Sequence, residues 1–255
     1  MPSSPTDPMP LNIASINIER SRHLQRVAAF IKRERPDLLC LQELCERDIG
    51  FFEALMGGRL HFAPMMRHPG EGSTDVVGVG MIARADTLTN VATDYYSGSA
   101  QDIREITFFN TLGHRAADPL SIAEVMLSAT LQGLRIAVTH LNVTPLGTST
   151  DYQRESAGKL IRLAQAQAQQ AGDLLLVGDF NAPRGRATFD LIAAHFIDGI
   201  PAHHTSSIDG SLHRAGDIPF MVDGLFHTSG YRLENVHLST GVSDHCALSC
   251  RLSKA

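Results

Sequence analysis

Five apolar segments of this chain are bordered by polar side chains that a buried strand end rarely carries without partners: Asn17, Glu43, His140 with Asn142, Asp179 with Asn181, and Asp244 with His245. An unpaired charge in such a place is costly. The five together therefore point to one shared destination rather than to five ordinary turns. The clearest is Leu174-Leu175-Leu176-Val177-Gly178-Asp179-Phe180-Asn181. A strand sends alternate side chains to one face, so Asp179 and Asn181 project together from its end. Ser243-Asp244-His245 sets an acid beside an imidazole just before another apolar segment. A carboxylate, an amide, a second carboxylate and an imidazole are the parts that metal-assisted cleavage of a phosphate ester needs.

The rest of the chain is compatible with that chemistry. At 255 residues and 43% apolar residues it can bury a substantial core. No Pro-, Gly- and Ser-rich stretch separates two compositionally distinct blocks, so residues 11–255 are expected to form one catalytic domain. Met1 to Pro10 is polar and Pro-rich and is expected to be a disordered tail. It lacks the basic start and apolar centre of a secretory signal. No run reaches the roughly 18–20 apolar residues of a membrane span, so stable membrane insertion is not expected and the expected location is cytoplasmic. A net charge of −5 argues against a broad basic surface for nucleic acid. Cys40, Cys45, Cys246 and Cys250 form no CxxC pair and read as buried free thiols.

Periodicity places the motifs. A strand over 11–17 leads to a helix over 22–35 capped by Ser21 and stopped by Pro36. A buried strand over 37–43 is followed by a helix over 47–55 ending at Gly57-Gly58. Further strands are expected over 76–83, 103–110, 121–131 and 134–140, the last two joined by a turn at Gln132-Gly133. Gly78 and Gly80 mark close backbone approach. A long amphipathic helix covers 151–171, with Gln153 and Arg154 placed to brace the His140 loop. A strand over 174–179, a helix over 188–196 and strands over 221–227, 231–238 and 246–252 complete the chain. The stretch 95–119 reads as an irregular specificity loop. No exposed apolar hairpin is evident.

The chain resembles the endonuclease/exonuclease/phosphatase superfamily, whose folds are deoxyribonuclease I-like and exonuclease III-like. The resembling segments are Leu11–Ile18, Pro36–Glu43, Gly78–Arg84, Val138–Asn142, Val177–Asn181, Met221–Phe226 and Val242–His245, in the family's order and over nearly the whole chain. The resemblance implies a four-layer α/β/β/α sandwich of two packed, mostly antiparallel sheets with outer helices. It implies a divalent cation, usually Mg2+ with Mn2+ as the other candidate, held by Glu43 with Asn17 and Asp244. Asp179 would orient or deprotonate the attacking water, and Asn181 would hold the phosphate and Asp179 in register. His245 would contact the scissile phosphate, with Asp223 fixing its tautomer, and His140 would face the phosphate from the other side. The implied partner is a phosphate-ester substrate, nucleic acid among the candidates, and no protein partner is implied.

Some features depart from the family. Gly224 follows Asp223 where an aromatic or Arg is common. The phosphate-side Tyr is not assignable beyond Tyr95 or Tyr96, and the acid partner of His140 is open, with Asp75 as a candidate. Trp is absent. Together with the acidic balance, that disfavours long duplex DNA. Asn142, Arg104 and Arg214 are candidate substrate contacts. His203, His204 and His213 read as solvated loop residues, and no short-spaced histidine cluster supports a zinc hydrolase. A non-catalytic scaffold would have lost Glu43, Asp179 or His245, and all are present. Among phosphoesterases, a nuclease-like phosphodiesterase is the first expectation and a phosphatase or phosphodiesterase on a lipid or small molecule the alternative.

Overall fold

The computed structural model describes residues 9–69, 74–85, 87–111 and 114–255. Eight of the ten residues of the expected N-terminal tail lie outside that set. The strands are β1 (Leu11–Asn17), β2 (Leu38–Cys45), β3 (Leu60–Pro69), β4 (Thr74–Ala83), β5 (Thr89–Ser97), β6 (Phe108–Thr111), β7 (His114–Ala117), β8 (Glu124–Leu131), β9 (Leu134–His140), β10 (Leu175–Asp179), β11 (Ile197–Asp198), β12 (Asp223–His227), β13 (Tyr231–Ser239) and β14 (Ala247–Lys254). The helices are α1 (Leu24–Glu34), α2 (Ile49–Met56), α3 (Asp151–Ala171) and α4 (Ala187–Ala193).

Two six-stranded sheets form the centre, ordered β13-β14-β1-β2-β4-β3 and β11-β12-β10-β9-β8-β5. Each holds one parallel pair, β1 with β2 and β9 with β10, and is otherwise antiparallel. Side chains from both inner faces, among them Ile13, Met81, Val79, Val125, Val138, Val177 and Leu248, make the inter-sheet core. The outer face of the first sheet packs Ile16, Leu39 and Leu41 against Val27, Phe30 and Ile31 of α1 and Phe52 and Met56 of α2. The outer face of the second packs Ala137, Leu174 and Leu176 against Leu160, Ile161 and Ala164 of α3 and Phe189 and Ile192 of α4. This is the α/β/β/α order, and it explains why the central strands read as continuous apolar runs. Both of their faces are covered.

The topology brings the polar strand ends together. β1 and β2 run parallel, as do β9 and β10, so their C-terminal ends fall on one edge of each sheet. In the second sheet Asp179 lies in register between His140 on β9 and Asp223 on the antiparallel β12. Gly178, at φ 143°, permits this close pairing, because a Cβ there would meet the Thr139 carbonyl oxygen at 2.0 Å.

Several local expectations are corrected. Ser21 does not cap α1, which starts at Leu24; its hydroxyl donates to Asp48 Oδ2 at 2.6 Å instead. β3 and β5 were not expected as strands. Both are sheet edges, β3 interrupted by Pro64 at a bulge and β5 mostly polar, so neither shows a clean alternation. The strand expected over 103–110 is only a single bridge at Glu105 followed by β6. β6 and β7 form a separate hairpin that carries Phe108 and Phe109, 38% and 46% exposed, so an exposed apolar hairpin is present after all. Tyr95 and Tyr96, placed by the sequence in an irregular loop, belong to β5. The turn at Gln132-Gly133, the Gly57 stop of α2 and the full extent of α3 agree with expectation.

Candidate active site

Asp179 is the hub. Its carboxylate is buried, and Oδ1 accepts the Asn181 backbone N–H at 2.8 Å. Oδ2 accepts from Asn17 Nδ2 at 3.0 Å, and lies 3.6 Å from His140 Nε2 and 3.7 Å from His245 Nε2. Asn17 crosses from the first sheet to reach it and also lies 3.5 Å from Glu43 Oε1. The Asn17 Oδ1 accepts from the Glu19 N–H at 3.1 Å. Asn181 Nδ2 donates to the Leu141 carbonyl at 2.9 Å and sits 3.1 Å from His140 Nε2. His245 Nδ1 lies 2.8 Å from Asp223 Oδ2, so the imidazole is held at one nitrogen and presents Nε2 toward Asp179. The structure therefore brings Asn17, Glu43, His140, Asp179, Asn181, Asp223 and His245 into one connected group.

Backbone conformation helps aim these side chains. Glu19, Arg20, Glu43 and Asn181 all have positive φ, between 46° and 62°. Non-glycine residues persist in this region only where surrounding structure over-determines them. Ser207 positions Asp223 by accepting the N–H groups of Val222 and Asp223, each at 3.1 Å. The loop carrying Ser207 is tied to the His245 segment through an Ile208–His245 bridge and the Asp209 N–H to Asp244 carbonyl bond.

A group of residues that could hold a metal ion adjoins the hub. Glu43 pairs with Arg20 at 3.0 Å, and its side chain is 20% exposed. Glu19, His23 and Asp244 each direct a ligand atom into one region, all within 4.8 Å of one another. The donors suit a divalent cation: carboxylate oxygens predominate, as a hard ion requires. Burial, reinforced by Glu19 and Glu43 and opposed by His245, pushes the Asp244 carboxyl up to about 6. Burial also opposes the charge of Glu43, but His140, Arg20 and His245 outweigh it and hold the carboxyl below its ordinary range. At the hub, burial and the neighbouring Asp223 carboxylate raise Asp179 despite two imidazoles. Burial disfavours charge on His245, yet Asp223, Asp179 and Asp244 push it well above the ordinary histidine value.

Other candidates fall differently. Asp75 pairs with Arg47 at 3.0 Å and is not the partner of His140, whose ring faces Asn181 and Asp179. Neither tyrosine faces the group: Tyr95 donates to the Pro64 carbonyl, and Tyr96 is buried against Thr139 Oγ1 at 2.8 Å. Asn142 is buried; its N–H donates to Glu124, and its Oδ1 has no hydrogen-bond partner. Arg104 is paired with Asp102 at 2.8 Å and makes no contact with the group. Arg214 is exposed and adjoins His213, whose pKa burial and His245 both lower, which sets this loop beside the site.

Sequence reasoning missed Glu19, Arg20 and His23. Glu19 stands two residues beyond Asn17, but the left-handed turn at 19–20 that aims it inward has no signal in non-glycine residues. The bracing role expected of Gln153 is present: its Nε2 donates to the carbonyls of Asn142 and Asn181 at 3.1 and 3.0 Å, and its Oε1 accepts from Thr188. Arg154 instead bonds Ser149 and Asp151. The departure at Gly224 has a packing cause: a Cβ there would meet the Phe226 and Phe180 rings at 2.7 and 2.8 Å.

A two-sheet α/β sandwich with acids, amides and imidazoles gathered at the strand ends of both sheets defines a class of phosphoester-hydrolase scaffold. Residues 11–245 match the Endonuclease/Exonuclease/phosphatase family, and the chain belongs to it. No curated protein matches the sequence. Among solved structures, the human Nocturnin catalytic domain with bound sulfate is 18% identical, with 97% of this chain and 94% of that one covered at a TM-score of 0.66. A 3′ phosphatase, NExo, from Neisseria bound to product DNA hairpin is 15% identical, with 94% and 98% covered at 0.67. A mannosyl-6-phosphatase of Bacteroides thetaiotaomicron is 13% identical, with 95% and 99% covered at 0.64. These likenesses establish a common fold. Members of the family are phosphoester hydrolases and are typically dependent on a divalent metal. No helix among the described residues is long and apolar enough to cross a membrane.

Proposed function

We propose that this chain is a divalent-metal-dependent phosphodiesterase, nuclease-like in its chemistry, that hydrolyses phosphate esters by in-line attack of water. The observation that carries this reading is Asp179 Oδ2, set within 3.0–3.7 Å of Asn17, His140 and His245, with Glu43 Oε1 3.5 Å from the same Asn17 Nδ2. A bound Mg2+ or Mn2+, held by Glu43 with Asp244 and Asn17 beside it, would polarise a phosphoryl oxygen and offset its charge. Asp179 orients the water and accepts its proton. Its raised affinity for protons suits a base, and such a group typically contributes ~10²–10⁴ in rate. His245, held protonated by Asp223, donates from Nε2 to a phosphate oxygen, where stabilisation grows with developing charge. Asn181 and His140 receive the opposite side of the phosphate. The exposed Arg214 is offered as a substrate contact at the rim, and Asn142, buried with an unpartnered Oδ1, as one that needs local opening. Arg104 is offered for a longer substrate, because its present partner is the exposed Asp102.

A second reading, a lipid or small-molecule phosphoester as substrate, is favoured by the apolar residues near the site. β7 lies beside the turn at 145–147, and Phe108, Phe109, Val143 and Leu146 are all exposed there. Four buried free thiols support a reducing, cytoplasmic setting, and residues 11–255 are taken as one catalytic unit. The test is a panel of single- and double-stranded DNA, RNA, phosphoinositides, sphingomyelin and sugar phosphates at fixed Mg2+, run in 18O-water. Label in the phosphate-bearing product of one class supports the reading. Turnover equal to that of Asp179→Asn on every substrate overturns it.

A further inference from the structure

We propose that His23 is a nitrogen donor to the divalent cation, so that this site holds a first-row transition-metal ion such as Mn2+ in preference to Mg2+. The inference rests on the metal-dependent reading above and deepens it. His23 Nε2 lies 3.0 Å from Glu19 Oε2. A six-coordinate ion with bonds of ~2.1 Å separates adjacent ligands by ~3.0 Å. Two neighbouring positions of such a shell are therefore already at the right spacing. The third ligand atom comes from Asp244, and all three lie within 4.8 Å of one another. Two of the three residues share the connection between β1 and α1, and the third is distant in the chain. Glu19 follows β1, His23 precedes α1, and Asp244 precedes β14. The Glu19–His23 pair is made within one turn, and the fold brings Asp244 to it from the far end of the chain.

The donors are sheltered enough to hold an ion. Glu19 and His23 side chains are only 13% and 14% exposed, and Asp244 is buried. Charge also favours a cation here. Arg20 is the guanidinium at Glu43 Oε2, 3.0 Å away, and it reaches Glu19 Oε1 only at 4.0 Å. Arg22 Nε also approaches Glu19 Oε1, at 3.5 Å, which leaves Oε2 as the oxygen paired with His23. Mg2+ favours oxygen donors and binds imidazole poorly, whereas Mn2+ and the later first-row ions accept a mixed oxygen and nitrogen shell with rising affinity. A single imidazole among carboxylates separates the two kinds of ion.

The experiment uses the full chain, stripped with chelator and reloaded with Mn2+, and reads electron spin echo modulation and binding calorimetry. The wild type is expected to show 14N coupling from a coordinated imidazole, lost in both His23→Gln and His23→Ala. Mn2+ affinity should fall on the order of ten-fold in these variants and Mg2+ affinity by less than about three-fold. Thermal melts in chelator confirm that the variants are folded. Should neither fold, 15N-histidine labelling of the wild type still reads imidazole coordination, and its absence overturns the proposal. If Mn2+ binds with 14N coupling that survives both substitutions, or with an unchanged Mn2+ to Mg2+ ratio, the proposal fails while the metal-dependent reading stands. If the wild type binds neither ion, both fail.

Discussion

Replacing Asp244 with Asn should make the metal-free protein more stable and the metal-loaded protein less so. Burial, with Glu19 and Glu43 nearby, raises the Asp244 carboxyl from 3.8 to about 6. A carboxyl whose folded pKa is raised binds its proton more tightly when folded. Its stabilising contribution is complete below 3.8 and is lost as pH rises through about 6. At 1.36 kcal/mol per pH unit the gap corresponds to ~3 kcal/mol at pH 8. Asn keeps the shape and can still accept from Ser243 Oγ, 3.1 Å from Oδ1, but carries no charge. Urea denaturation in chelator should therefore find Asp244→Asn more stable than the wild type by up to ~3 kcal/mol at pH 8, with the gap closing toward pH 4. Saturating Mn2+ should reverse the order, since an ion at about a thousand times its Kd adds ~4.1 kcal/mol to whichever protein binds it. A variant no more stable than the wild type at pH 8 in chelator, or a gap that does not shrink on acidification, would refute the reasoning.

Other outcomes follow from the same structure. Gln153→Ala removes the donor shared by the Asn142 and Asn181 carbonyls and strands the Thr188 hydroxyl. It should cost ~2–5 kcal/mol in denaturation and lower kcat while leaving calorimetric metal affinity near wild type. Gly224→Ala forces a methyl against Phe180 and Phe226 and should destabilise by ~1–3 kcal/mol, read by the urea midpoint. The buried thiols of Cys246 and Cys250, each pushed by burial up to about 12, should react with a thiol-specific disulfide reagent only at the rate of unfolding.

The parts of the site that lie at the ends of buried strands were legible in the sequence. Asp179 and Asn181 stand out because a continuous apolar run precedes them, and the same holds for Asn17, Glu43 and His140. α3 was legible to its ends because Thr150 caps it through the Gln153 N–H and its apolar stripe is regular. The edges were not legible. β3 carries Pro64 at a bulge, and β5 exposes threonines and an asparagine, so neither carries a period-2 signal. Glu19 and His23 were invisible for a different reason. Their meeting with Asp244 depends on two consecutive non-glycine residues with positive φ, which local propensity disfavours and only the surrounding fold imposes. The exposed hairpin was hidden because β6 and β7 belong to neither main sheet and, among the described residues, pair with each other.

The account's central claim is that Asp179 serves a water-attack reaction supported by a cation at Glu43. The most direct measurement is hydrolysis of an activated aryl phosphodiester by chelator-stripped protein, with and without added Mg2+ or Mn2+. Wild type, Asp179→Asn and Glu43→Gln would be compared at matched folding. Turnover should appear only with the ion and fall by ~10³-fold or more in Asp179→Asn. Equal rates with and without the ion, or an Asp179→Asn protein as fast as the wild type, would contradict it.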